Sequence, residues 1–144
     1  MQTVVDARNE SLAYALLRLI VGMNMTMHGV SRLTAGPAQF AAKMTTQFSH
    51  SPLPSWSVWA FAMAVPPIEG LLGFLLLIGL RTRAALIAGL VWVLVLTFGS
   101  SLIQDWQAAQ AQLTYALAYA ALLFLLRFNA WSVDGWMDAA ELIA

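Results

Sequence analysis

The run Val58–Leu80 reads VWAFAMAVPPIEGLLGFLLLIGL. At a helical rise of about 1.5 Å per residue it can cross a hydrocarbon core of about 30 Å. Pro66 and Pro67 sit at its centre and are expected to interrupt the helix. They remove the amide donors that the Ala62 and Met63 carbonyls would use. Glu69 follows, the only acid within any apolar run of the chain. An ionised group at the centre of a bilayer costs about 3 kcal/mol or more, so it must pair, neutralise or face a cavity.

The rest of the chain is of the same kind. Of its 144 residues, 60% are hydrophobic and 10% charged, against about 25% charged in a soluble domain. Mean hydropathy is +0.73. Membrane residence follows, as a single domain over residues 1–144. The formal net charge is zero, which argues against nucleic acid as a partner. With no cysteine, the chain itself supplies no iron–sulfur ligands, c-type haem attachment or dithiol exchange.

Three further runs have spanning length: Leu12–Leu33, Ala84–Ile103 and Ala108–Phe128. Asp6, Arg8 and Glu10 precede the first in place of a basic run, so it reads as a permanent span and not a cleavable signal peptide. With the N-terminus inside, Arg8, Arg81, Arg83 and Arg127 fall on the cytoplasmic side and Arg32 and Lys43 outside. Trp56, Trp59 and Trp106 then mark the outer interface, and Trp131 and Trp136 the inner one. The expected fold is all-α: a four-helix membrane bundle with both termini cytoplasmic.

Two shorter helices complete it. Gly36-Pro37 can open a helix in the outer loop, with Phe40, Met44 and Phe48 as one apolar stripe. It would lie on the interface or cover the bundle as a lid. Ser132 can cap a second helix from Val133, with Trp136, Ala140 and Ile143 toward lipid and Asp134, Asp138 and Glu141 toward water.

Arg18 lies about 9 Å from the inner end of its run and Glu69 about 16 Å from the inner end of its own, by helical rise. An Arg18–Glu69 ion pair is therefore expected. It could fasten two helices or handle protons. Asn24, His28 and Arg32 recur every four residues on one polar face. His28 could relay a proton or satisfy a neighbouring helix. Gly22, Thr26 and Gly29 form an adjacent small-residue face suited to close helix contact.

A quinone head group needs a flat apolar slot with a donor or two, and His28 with Tyr115 or Gln104 could supply it. Asp105 and Tyr115 also have plainer roles, as the cap of the fourth helix and as part of the outer aromatic belt. His28 and His50 are the only histidines, too few for a structural zinc set, and haem is not expected.

Several segments resemble the DoxX family of small four-span membrane proteins. Arg18-Leu19-Ile20-Val21-Gly22, with His28-Gly29 and Arg32-Leu33, is similar to its first-helix pattern. Glu69-Gly70-Leu71-Leu72-Gly73 leading to Leu80-Arg81-Thr82-Arg83 resembles its most recognisable segment, and Trp131-Ser132-Val133-Asp134 its ending. The resemblance implies a subunit of a quinone-linked respiratory or electron-transfer complex in a prokaryotic cytoplasmic membrane, with Arg18, His28 and Glu69 as its motif residues. It leaves open a non-catalytic subunit that steadies a larger redox complex, or a carrier of lipids or small molecules.

Overall fold

Residues 2–141 are described by a computed structural model, and over them the chain is helical, with no strand. In chain order the helices are α1 (Gln2–Ala35), α2 (Pro37–Gln47), α3 (Ser55–Ile78), α4 (Thr82–Leu102), α5 (Trp106–Phe124) and α6 (Val133–Glu141), with a 3-10 turn at Leu126–Phe128.

The boundaries have local causes. Gly36 adopts φ 103°, which favours glycine, and Pro37 opens α2 as expected. Gly79 closes α3 in the left-handed region at φ 69°, and the Gly79 and Leu80 amides both donate to the Leu75 carbonyl, at 2.9 and 3.0 Å. Asp105 caps α5 by accepting from the Ala108 amide at 3.0 Å. Ser132 Oγ accepts from Gly135 N at 2.9 Å at the head of α6.

One expectation is corrected here. Pro66 and Pro67 lie inside an unbroken α3, because loss of two donors leaves the flanking helical bonds intact. α1 begins at Gln2, where exposed Asp6, Arg8 and Glu10 carry the helix past its apolar run. α5 stops at Phe124, and its last stretch tightens into the 3-10 turn. Ile143 lies outside the described residues.

α3 and α4 are long and apolar enough to cross a membrane, with mean hydropathies of 2.0 and 2.1 over their most apolar windows. Large apolar side chains face outward on every long helix: Ile20, Leu71, Leu94, Leu117 and, at 85% exposure, Phe124. Such faces are what lipid covers.

The packing is uneven. α1 lies closely on α3, and α4 on α5, while the α1–α5 and α3–α4 seams are slight. Glycines explain the first pair. A Cβ on Gly22 would come within 2.8 Å of Leu77 N, one on Gly73 within 2.6 Å of Thr26 Oγ1, and one on Gly29 within 2.6 Å of the Pro66 carbonyl and of Gly70 Cα. This is the small-residue face expected from Gly22, Thr26 and Gly29, and it fixes an antiparallel register. Between the pairs lies an apolar core around Tyr14, Leu76, Leu86, Tyr119 and Leu122.

Asp134 does not face water as expected. Its carboxylate accepts from Arg81 N and Thr82 N, both at 2.7 Å. These are donors at the start of α4 that have no partner within that helix. A residue near the end of the described chain thereby holds the α3–α4 turn.

Candidate ligand cavity

A cavity of about 620 Å³ opens between the helix pairs and beneath α2. Ligand pockets commonly enclose about 300–1,000 Å³. Its walls are mainly apolar: Met25 of α1, Phe40 and Met44 of α2 with Phe48 just after it, Phe61 and Val65 of α3, and Val93 of α4. The expected Phe40/Met44/Phe48 stripe is thus turned inward, and α2 acts as a roof. Trp92 stacks on Phe61 with centroids 5.3 Å apart.

The charged and aromatic polar groups of the wall come mainly from α1, α3 and α5. Glu69 is only 4% exposed and accepts from Nη1 of Arg32 through Oε2. The same guanidinium lies over the Phe40 ring, 4.8 Å from its centroid. Arg32 therefore ties Glu69 on α3 to the roof helix. On the other side, Tyr115 donates its hydroxyl to Asn24 Oδ1. His28 meets the Tyr115 ring edge-on at 6.3 Å. The polar face Asn24–His28–Arg32 is real, and it reaches α5 at one end and α3 at the other.

His28 also lines a shallow groove on the outer face of α1, with Leu19, Ile20, Met23 and Met27. It stands in the wall between this groove and the cavity.

The expected Arg18–Glu69 pair does not form. Gly22 meets Leu77 and Gly29 meets Gly70, so Glu69 lies level with Val30, about 18 Å along α1 from Arg18 by helical rise. The ends of the two apolar runs are not level: the Leu12 end lies well beyond the level of Leu80. Arg18, 2% exposed, instead donates to the Leu76 carbonyl, to the Leu77 carbonyl at 3.0 Å and to the Trp131 carbonyl at 2.7 Å. Two of these acceptors belong to the last turn of α3, where carbonyls lack helical donors and the dipole favours a cation. Arg18 staples α1, α3 and the segment before α6, far from the cavity.

Gln104 is also displaced from its expected place. It occupies the α4–α5 turn at φ 58°, is exposed and does not line the cavity. Gln112 takes its place on the wall. Its Nε2 donates to Ser100 Oγ at 2.9 Å, and its Oε1 is buried without a hydrogen-bond partner among the described residues. The spacing from Gln112 to Tyr115, about one turn on one helix face, is the signal that could have found it.

The shape and lining suit a flat, mostly apolar molecule with a polar head. Among the described residues there is no group of three or more His, Cys, Asp or Glu side chains able to hold a metal ion.

An apolar helical bundle with lipid-type outer faces and an internal, polar-ended cavity defines a small helical membrane protein. The DoxX family model matches residues 13–102, and the chain belongs to the DoxX family, membrane proteins associated with oxidoreductases. No curated protein and no solved structure matches the chain. The family match takes in His28, Arg32 and Glu69 but ends before Gln112, Tyr115 and Asp134.

Proposed function

We propose that this protein is a four-span subunit of a quinone-linked oxidoreductase complex in a prokaryotic cytoplasmic membrane, with both termini cytoplasmic, and that its cavity receives the quinone head group. In this arrangement α1 and α5 span beside α3 and α4. Exposed Trp56 and Trp106 lie at the outer interface and exposed Trp131 and Trp136 at the inner one. The cavity then opens toward the outer side, under α2.

The observation that carries this reading is the cavity itself: about 620 Å³, apolar over most of its wall, with Glu69, Arg32, His28, Tyr115 and Gln112 in its lining. Few, convergent polar groups in an apolar slot are the usual features of a small-molecule site. Glu69, paired with Arg32, and His28, at the wall, are the groups to handle protons there. Arg18 serves the architecture at the inner end.

A second reading keeps the chain as a non-catalytic subunit that steadies a larger redox complex. The Arg32–Glu69 bridge between α1 and α3 favours it, since a buried pair can fix packing alone. Replacing Glu69 by Gln in the intact complex separates the two. Lost quinone-dependent turnover with normal assembly supports the quinone site. Normal turnover, or failure to assemble, supports the structural subunit.

A further inference from the structure

Polar side chains within a membrane span ordinarily turn to the bundle interior or to a cavity, and they mark ligand paths. Asn24 and His28 stand in the apolar run of α1, yet both are exposed. Both line the groove on the outer face of that helix, among Leu19, Ile20, Met23 and Met27. Each also reaches the cavity. His28 is part of the cavity lining. Asn24 accepts the hydroxyl of Tyr115, another lining residue. The two spaces meet at these side chains, where the seam between α1 and α5 is slight.

The groove and the cavity divide the work between them. From His28 the groove runs to Leu19, about 14 Å by helical rise, across the middle of the Leu12–Leu33 run, and most of its lining is apolar. The cavity gathers the charged groups, Glu69 and Arg32 among them. A molecule with a polar head on a long apolar chain is divided in the same way. Such a molecule is dissolved in the bilayer, and its chain must stay against lipid or an apolar wall while its head sits among polar groups.

We infer that the groove on α1 is the tail subsite of the cavity: the head group sits inside, and its isoprenoid or alkyl chain leaves between His28 and Tyr115 and lies along α1 toward Leu19. This deepens the proposed quinone site and rests on it. The other slight seam, between α3 and α4, is bridged by the stacked rings of Phe61 and Trp92. Lipid is as apolar as the groove, so the groove orients the chain and adds little affinity. Where the chain lies is therefore the quantity to measure.

The test uses the purified full chain in lipid nanodiscs. The probe is a decyl-substituted benzoquinone with a diazirine at the end of its chain, irradiated with and without an excess of plain decyl benzoquinone. Peptide mass spectrometry locates the labels. Probe that is merely dissolved in the lipid marks every exposed apolar face, and the competitor does not change those labels. Labels at Leu19, Ile20 or Met23 are expected to be lost with the competitor, while labels at exposed Leu94 and Leu117 persist.

Competitor-sensitive labels on other elements, with none in the groove, overturn the tail subsite and leave the cavity as the quinone site. Absence of any competitor-sensitive label overturns the quinone-site reading as well.

Discussion

Arg32 and Glu69 join α1 to α3 one turn beyond the point where Gly29 meets Gly70, and there α1 also contacts the roof helix through Arg32 and Phe40. The glycine contact sets the register, the register chooses the ion pair, and the ion pair frames the cavity.

Breaking the pair from the arginine side leaves a buried carboxylate alone. Arg32→Gln is expected to destabilise the protein by about 2–3 kcal/mol, below the ~3–5 kcal/mol of a fully buried pair because Arg32 is partly exposed. Arg32→Gln combined with Glu69→Gln is expected to recover most of this loss. Thermal melting of the four proteins in one mild detergent, analysed as a double-mutant cycle, checks it.

Close approach of α1 and α3 predicts intolerance to one methyl group. Gly73→Ala would place its Cβ 2.6 Å from Thr26 Oγ1 and 2.8 Å from the Gly22 carbonyl. The expected cost is about 1–3 kcal/mol, the range for overpacking, read as a lower melting temperature. Gly70→Ala, whose Cβ would meet only Gly29 Cα at 3.9 Å, is expected to melt near the wild type.

At the inner end, Asp134 caps the start of α4 through the Arg81 and Thr82 amides. Asp134→Ala is expected to cost about 1–2 kcal/mol. Hydrogen exchange should show faster opening of the first turn of α4, with the cavity end unchanged.

Two tyrosines one turn apart on α5 should respond differently. Tyr119 is fully buried and its hydroxyl has no partner among the described residues, so Tyr119→Phe is expected to be neutral or to stabilise by up to about 1 kcal/mol. Tyr115→Phe removes the bond to Asn24 and is expected to cost about 1 kcal/mol and loosen the α1–α5 seam. Melting of the paired variants decides between these outcomes.

Much of this architecture was legible in the sequence. Apolar runs located the cores of the four long helices, and Gly36-Pro37 announced α2, while the Phe40/Met44/Phe48 stripe left open whether that helix lies on the interface or covers the bundle. The polar face of α1 and the small-residue face beside it were both visible in their spacing. What the sequence did not reveal was how far one helix slides along another. The ends of apolar runs gave a sliding position that paired Glu69 with Arg18, whereas glycine contacts pair it with Arg32. Asp134 as a cap depends on a contact with residues far away in the chain, which no local pattern carries. α5 holds three glutamines, Gln107, Gln110 and Gln112, and only packing shows which one faces inward.

The most direct test of the central claim is quinone-dependent turnover of the intact complex carrying Glu69→Gln, measured beside its assembly. The quinone-site account predicts normal assembly with turnover reduced by about a hundredfold or more, the scale of losing a general acid–base group. Wild-type turnover in a fully assembled complex would contradict it.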